Sequence, residues 1–175
     1  KEAKETFQYF RDQNVEIKVI SGDNPVTVSK VAMEAGIANA EQYIDATTLT
    51  TRKEIEDAII NYTVFGRVTP NQKRQLVQAL KDNGNTVAMT GDGVNDAPSL
   101  KSADVGIAMG ITGTDVAKNA ADIILTDDNF STIVKAIEQG RSIYANIKKS
   151  VLFLLSSNFG EIITMLVAIL LGFCS

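Results

Sequence analysis

Residues 85–98 read NTVAMTGDGVNDAP, and this stretch decides the fold. Residues 85–89 predict a short strand of small apolar side chains. The nine residues that follow, Thr90 to Pro98, hold two carboxylates four apart, Asp92 and Asp96, with Asn95 between them. Gly91 and Gly93 keep the backbone close to whatever binds. Two acidic groups and an amide at a strand end suit Mg²⁺, a hard ion that takes one or two carboxylates and completes its shell with water and phosphate oxygens. A lone Asp-Gly or Asn-Asp pair reads as a turn that caps a helix; the full nine residues point to a site.

Outward from this loop, helices and strands alternate. Helices are predicted over residues 2–14 (Ala3, Phe7 and Phe10 on one side), 26–35, 52–61, 70–82, 99–103 and 115–121. Strands are predicted over 15–20, 43–46, 63–67, 85–89, 105–108 and 123–125. Pro25 stands where a helix starts and Gly36 where one ends. Leu76, Val77 and Leu80 face inward on the helix over 70–82. Strands separated by helices imply a parallel, doubly wound α/β sheet, with its functional loops at the carboxyl ends of the strands. From Phe130, the residues Ile133, Val134, Ile137, Tyr144, Ile147 and Val151 recur at helical spacing, and no Pro follows them. One helix of about 40 residues and roughly 60 Å is therefore predicted to run into the apolar C-terminal stretch.

Composition narrows the chemistry. The 175 residues carry 17 Lys and Arg against 21 Asp and Glu, a net charge of −4, which argues against the basic face that nucleic acid requires. There is no His, which removes His-based triads and metal sites. The single Cys, Cys174, excludes an internal disulfide framework and a CxxC zinc site. Carboxylates, Lys, hydroxyls and backbone amides remain, the chemistry of Mg²⁺ and phosphate.

The near-neutral mean hydropathy averages two unlike parts. Every Lys and Arg lies at or before Lys149, and the run from Val151 to Phe173, VLFLLSSNFGEIITMLVAILLGF, carries one charge, Glu161. At about 1.5 Å per residue this run makes roughly 35 Å of helix, enough to cross about 30 Å of hydrocarbon. The alternative is a buried core helix, which usually has a shorter apolar run. Arg141, Lys148 and Lys149 stand just before the run, which puts its N-terminal end on the cytoplasmic side. Asn158 and Glu161 are three apart and share a helix face. A carboxylate within a span faces a protein interior or an ion path, and oxygen ligands suit Ca²⁺ or another hard cation. The competing reading is polar glue between helices, a role also open to Ser156, Ser157 and Thr164.

Two weaker signals lie upstream. Ser21-Gly22-Asp23-Asn24 is a second strand-end loop, whose hydroxyl and amides could hold a phosphate or simply form an N-cap turn. Lys73 is one turn into the helix after Thr69-Pro70, where it could neutralise phosphate charge or merely be solvated.

With these residues in view, the chain resembles the P-type cation-transporting ATPases, whose phosphorylation domain belongs to the haloacid-dehalogenase-like superfamily. The resemblance covers essentially the whole chain and rests on MTGDGVNDAPSLKSADVGIAMG (89–110), GTDVAKNAADIILTDDNFSTIVKAIEQGR (113–141) and SSNFGE (156–161). It implies an incomplete haloacid-dehalogenase-like doubly wound sheet, followed by a long helix continuing into a transmembrane segment. The implied domains are residues 1–150, the C-terminal part of a cytoplasmic phosphorylation domain with its stalk helix, and residues 151–173, a transmembrane helix.

The resemblance also implies roles. Asp92 matches the Mg²⁺ ligand, and Asn95 and Asp96 match loop residues that support the phosphorylated site. Ser21, Gly22 and Asp23 match the phosphate-contacting Thr-Gly-Asp motif, with Ser where Thr is common. Lys73 matches a Lys that contacts the phosphoryl group. Asn158 and Glu161 match ion ligands on the fifth transmembrane helix of the calcium-pump branch, which favours Ca²⁺ over H⁺ or heavy metals, although sodium-pump relatives have a similar segment. Mg²⁺, ATP as substrate, the lipid bilayer, the remaining domains of a pump and a transported cation are the implied cofactor and partners.

The family's phosphorylated Asp lies in an Asp-Lys-Thr-Gly-Thr motif, and these 175 residues contain none. The expectation is a piece of a longer pump that does not form an aspartyl phosphate alone. Two other classes compete with it. A soluble Mg²⁺-dependent phosphatase of the same superfamily would share the loop and the Lys but needs no apolar run. A membrane-anchored, non-catalytic subunit is supported only by the missing nucleophile.

Overall fold

The computed structural model describes residues 2–172; Phe173, the expected end of the apolar run, and Cys174 lie outside the described residues. The chain divides into two units, one ending at Val134 and one beginning at Lys135. In the first, the order is α1 (Glu2–Asp12), β1 (Val19–Ile20), α2 (Pro25–Ala35), β2 (Tyr43–Asp45), α3 (Arg52–Asn61), β3 (Val64–Gly66), α4 (Pro70–Asp82), β4 (Ala88–Gly91), α5 (Ala97–Ser102), β5 (Val105–Met109), α6 (Asp115–Ala120) and β6 (Ile123–Leu125). Short 3₁₀ turns occupy Ala46–Thr48 and Val94–Asp96.

Every strand pair is parallel, as the alternation of elements predicts, but the strands form two three-stranded sheets, β1-β3-β2 and β4-β5-β6. In the first, β3 is buried throughout. Val64 packs with Ala32 and Ala40, while Phe65 joins Ile55, Ile59 and Leu76 in a separate cluster. Neighbouring strand residues thus serve opposite faces, each covered by helix, which is the doubly wound arrangement. Burying Phe65 and Leu76 contributes about 1.5–3 kcal/mol each. In the second sheet, Ala108 of β5 packs on Leu100 of α5 and Ala117 of α6. Among the described residues β1 and β4 each have one partner strand, so each keeps an open edge.

Local chemistry explains the boundaries. Asn24 caps α2 by accepting the Val26 N–H, with Pro25 in its first turn, and Gly36 closes it at φ +89°. Thr51 and Glu54 form a capping box on α3, and Thr69 and Gln72 form another on α4. Both helices have the predicted limits. β1 is shorter than predicted because the Val15 N–H bonds back to Phe10 O at the end of α1, and its partner β3 is itself only three residues long. β4 is displaced towards the motif. Asn85 is tied to Leu80 O at the end of α4, and the ladder runs instead from Ala88 opposite Val105 to Gly91 opposite Ala108. On α1 the buried positions are Thr6 and Phe10, spaced i, i+4, and Ala3 is exposed.

The second unit is described by its helix. α7 (Phe130–Leu170, 41 residues) starts in the first unit and supplies the helical residues of the second. At about 1.5 Å per residue it is roughly 60 Å long. It is long and apolar enough to cross a membrane, and none of its residues is buried. Thr164 Oγ1 donates to Gly160 O at 2.7 Å, which satisfies that hydroxyl within the helix.

The Thr51 amide, followed by the amide and hydroxyl of Thr50, holds the Glu54 carboxyl down at about 2 from an ordinary 4.5. A lowered folded-state value means that this contribution to stability is complete above about pH 4.5 and is lost as pH falls towards 2. Glu54→Gln should therefore flatten the acid limb of the stability profile, read as urea midpoints of the two proteins across that range. Parallel profiles would show that the box carries no charge-dependent stability.

Candidate active site

The two sheets are joined where α4 meets the loop after β4. Lys73, in the first turn of α4, donates from Nζ to Asp96 Oδ1 at 2.7 Å, and the two side chains are only 16% and 10% exposed. The other oxygen of Asp96, Oδ2, accepts the Gly93 N–H at 3.1 Å. Asp96 reaches this position because Gly91 has no Cβ: one there would lie 2.5 Å from the Asp96 Cβ. Of the predicted site residues, the structure thus brings Lys73 and Asp96 into direct contact, across 23 residues of sequence.

Asp92 and Asn95 lie on the exposed side of the same loop. Among the described residues the Asp92 carboxylate has no hydrogen-bond or ion-pair partner, while its backbone carbonyl accepts the Thr114 N–H at 2.8 Å. No cluster of three or more acidic, His or Cys side chains able to hold a metal occurs among the described residues. One open carboxylate beside one already committed to Lys73 fits Mg²⁺, which shares its shell with phosphate and water. It does not fit a cation that needs an all-protein cage.

The Ser21 loop is clipped to the loop after β3. Ser21 N donates to Phe65 O at 2.9 Å, Val68 N to Ser21 O at 3.0 Å and Arg67 N to Asp23 O at 2.8 Å. Ser21 Oγ accepts the Asp23 N–H at 3.1 Å, and Asn24 alone caps α2. The cap is therefore one residue of the motif; at the strand end the Ser21 hydroxyl donates to Asp23 Oδ2 at 3.3 Å, and Gly22 and Asp23 are exposed. Asn158 and Glu161 lie exposed on α7 in the second unit, where the described residues offer their side chains no partner.

One polar pair at the carboxyl end of the first sheet lies outside the predicted site residues. Arg67 sits at φ +52° and its guanidinium donates to Asp45 Oδ2 at 2.9 Å. The Asp45 carboxyl lies below its ordinary value, chiefly through the Thr47 hydroxyl and amide, with Arg67 adding to the effect. The signal was available: Asp45 ends one strand and Arg67 follows another, so both stand where parallel sheets put functional side chains.

Removing one member of a largely buried ion pair leaves the other desolvated and unpaired. Lys73→Ala should cost about 3 kcal/mol, the low end for such pairs because both groups keep some water. Urea unfolding followed by circular dichroism reads this directly; an unchanged midpoint would mean that the pair is screened.

A family model described as haloacid dehalogenase-like hydrolase matches residues 1–104. Calcium-transporting ATPase 1 of Bacillus cereus is 55% identical over 177 residues, covering 99% of this chain and 20% of that protein. P-type sodium-transporting ATPase4 of Toxoplasma gondii is 44% identical over 173 residues, covering 90% of this chain and 13% of its own length. A crystal structure of a zinc-transporting PIB-type ATPase in its E2·Pi state superposes with a TM-score of 0.73 at 29% identity, covering 98% of this chain and 23% of that one. The chain spans about a fifth or less of the length of these curated relatives. It belongs to the haloacid dehalogenase-like hydrolase family and is similar, over nearly its whole length, to P-type cation-transporting ATPases.

Proposed function

We propose that this chain works as part of an ATP-driven pump for Ca²⁺. It supplies phosphate- and Mg²⁺-handling loops from a cytoplasmic phosphorylation domain, residues 1–150, and cation ligands from a membrane helix, residues 151–173. The observation that carries this reading is α7, in which the apolar stretch bearing Asn158 and Glu161 continues, in one 41-residue helix, from the end of the α/β unit. A soluble phosphatase of the same family would have the loops but no use for an exposed apolar helix of that length. Arg141, Lys148 and Lys149 ahead of the span support a cytoplasmic position for the α/β unit.

In this reading the phosphoryl acceptor is a carboxylate outside these 175 residues. The Ser21 hydroxyl and Gly22 amide, with Asp23 beside them, orient the phosphoryl oxygens. The Lys73 ammonium neutralises part of their charge, and Asp96 holds that ammonium in place. Asp92 holds Mg²⁺, and Asn95 supports the loop. When bound, Mg²⁺ supplies further neutralisation of the phosphoryl charge. Positioning and neutralisation provide most of the catalysis in phosphoryl transfer. The assignment of Ca²⁺ rests on the Asn158 and Glu161 pair and on the calcium-transporting relative from Bacillus cereus.

Two substitutions in the full-length protein test these roles. Asp92→Asn should raise the Mg²⁺ concentration needed for phosphorylation from ATP; an unaltered Mg²⁺ dependence of phosphoenzyme would remove Asp92 from the metal site. Glu161→Gln should impair Ca²⁺-dependent phosphorylation from ATP more than phosphorylation from inorganic phosphate. Equal loss of both would assign Glu161 to folding.

A further inference from the structure

The Asp92 backbone is not held by its own loop alone. Its carbonyl accepts the Thr114 N–H, and Thr114 follows the turn Ile111 to Gly113 that leaves β5. That turn is gripped by a single side chain from beyond β6. Asp128 Oδ1 accepts the Ile111 N–H at 2.9 Å, while Oδ2 accepts the Thr112 N–H at 2.7 Å and the Thr112 hydroxyl at 2.8 Å. The turn is tight enough that a Cβ on Gly113 would stand 2.0 Å from Met109 O. Asp128 itself has φ +51°, a left-handed conformation in which few residue types are at ease.

The neighbouring carboxylate has a different task. Asp127 bonds the Asn129 amide and the Thr132 hydroxyl and so serves the start of α7. Asp128 turns back to the Ile111–Gly113 turn. The Ile111 amide, with further help from Thr112 and Gly110, holds the Asp128 carboxyl at about 2, so the charge needed for three short hydrogen bonds is present at any ordinary pH.

We propose that Asp128 is a positioning residue for the metal loop: it fixes the Ile111–Gly113 turn, and through Thr114 it fixes the backbone of Asp92. This rests on the reading of Asp92 as the Mg²⁺ ligand. A ligand on a short loop is only as well placed as the groups that hold its backbone, and outer-shell partners of metal ligands act in this way. The chain of contacts runs from the Asp128 carboxylate to the turn by hydrogen bonds of 2.7–2.9 Å, along the backbone from Gly113 to Thr114, and from the Thr114 amide to the Asp92 carbonyl at 2.8 Å.

The test uses the full-length protein and Mn²⁺ as a spectroscopic substitute for Mg²⁺. Electron paramagnetic resonance titration first defines the site as Mn²⁺ binding that Mg²⁺ displaces and Asp92→Asn removes. Absence of such a site in the unsubstituted protein overturns the metal reading and this proposal with it. Given the site, Asp128→Asn should weaken Mn²⁺ about tenfold, the low end for outer-shell partners because the effect is relayed. The peptide containing Thr114 should lose protection from hydrogen exchange at the same time. Thr112→Val, which removes one of the three bonds, should shift affinity in the same direction by less. An Asp92-dependent site of unaltered affinity in Asp128→Asn overturns the proposal and leaves the metal reading standing. Should that variant not fold, unaltered affinity in Thr112→Val overturns it equally.

Discussion

An ammonium on α4 meets a carboxylate behind β4 at 2.7 Å, a contact that ties the first sheet's helix layer to the second sheet. The pair is largely out of water, so its attraction must offset the desolvation of both charges. It does so because Asp96 spends its second oxygen on Gly93 N, leaving neither lone charge unsatisfied. The placement of Lys73 is in turn fixed by the buried face of α4, where Leu76 and Val77 are each 1% exposed. Eight residues further on, Lys81 repeats the device, reaching Asp104 at 3.0 Å and Ser102 O at 2.9 Å. Two Lys on one helix face therefore carry polar contacts between the halves.

The sequence is most informative where the determinants are local. α3 and α4 have their predicted limits because each opens with a capping box, and α4 is closed by Asn83-Gly84, all within a few residues. α7 is equally plain, since no Pro interrupts its apolar spacing. The strands are harder. β1 keeps two of six predicted residues because strand length depends on the partner, and β3 offers it only three positions. β4 moves into the motif because the end of α4 captures Asn85. Neither cause is visible in the strand's own residues.

The site divides in the same way. The loops containing Ser21, Gly22, Asp23, Asp92, Asn95 and Asp96 stand after strands, as the alternation of elements predicts, which is where functional groups gather in parallel sheets. That Asp96 is committed to Lys73, while Asp92 is open, could not be found, because that distinction is made by a helix 23 residues away. Asp128 is hidden for a related reason. Its partners lie 16 and 17 residues upstream, and nothing in Thr126-Asp127-Asp128-Asn129 separates the carboxylate that serves the helix start from the one that serves the turn.

The division of strands between the sheets also bears on the order in which the chain assembles. The first sheet draws all its strands from residues 19–66 and the second from residues 88–125, so no strand of one is interleaved with strands of the other. Contacts within each are sequence-local, which shortens the search for pairing. During synthesis the first sheet can close while the second is still being made. α4, packed against α3, carries Lys73 and Lys81 to their partners in the later half. The polar joint thus ties together two halves whose strand pairings are each complete within their own stretch of sequence.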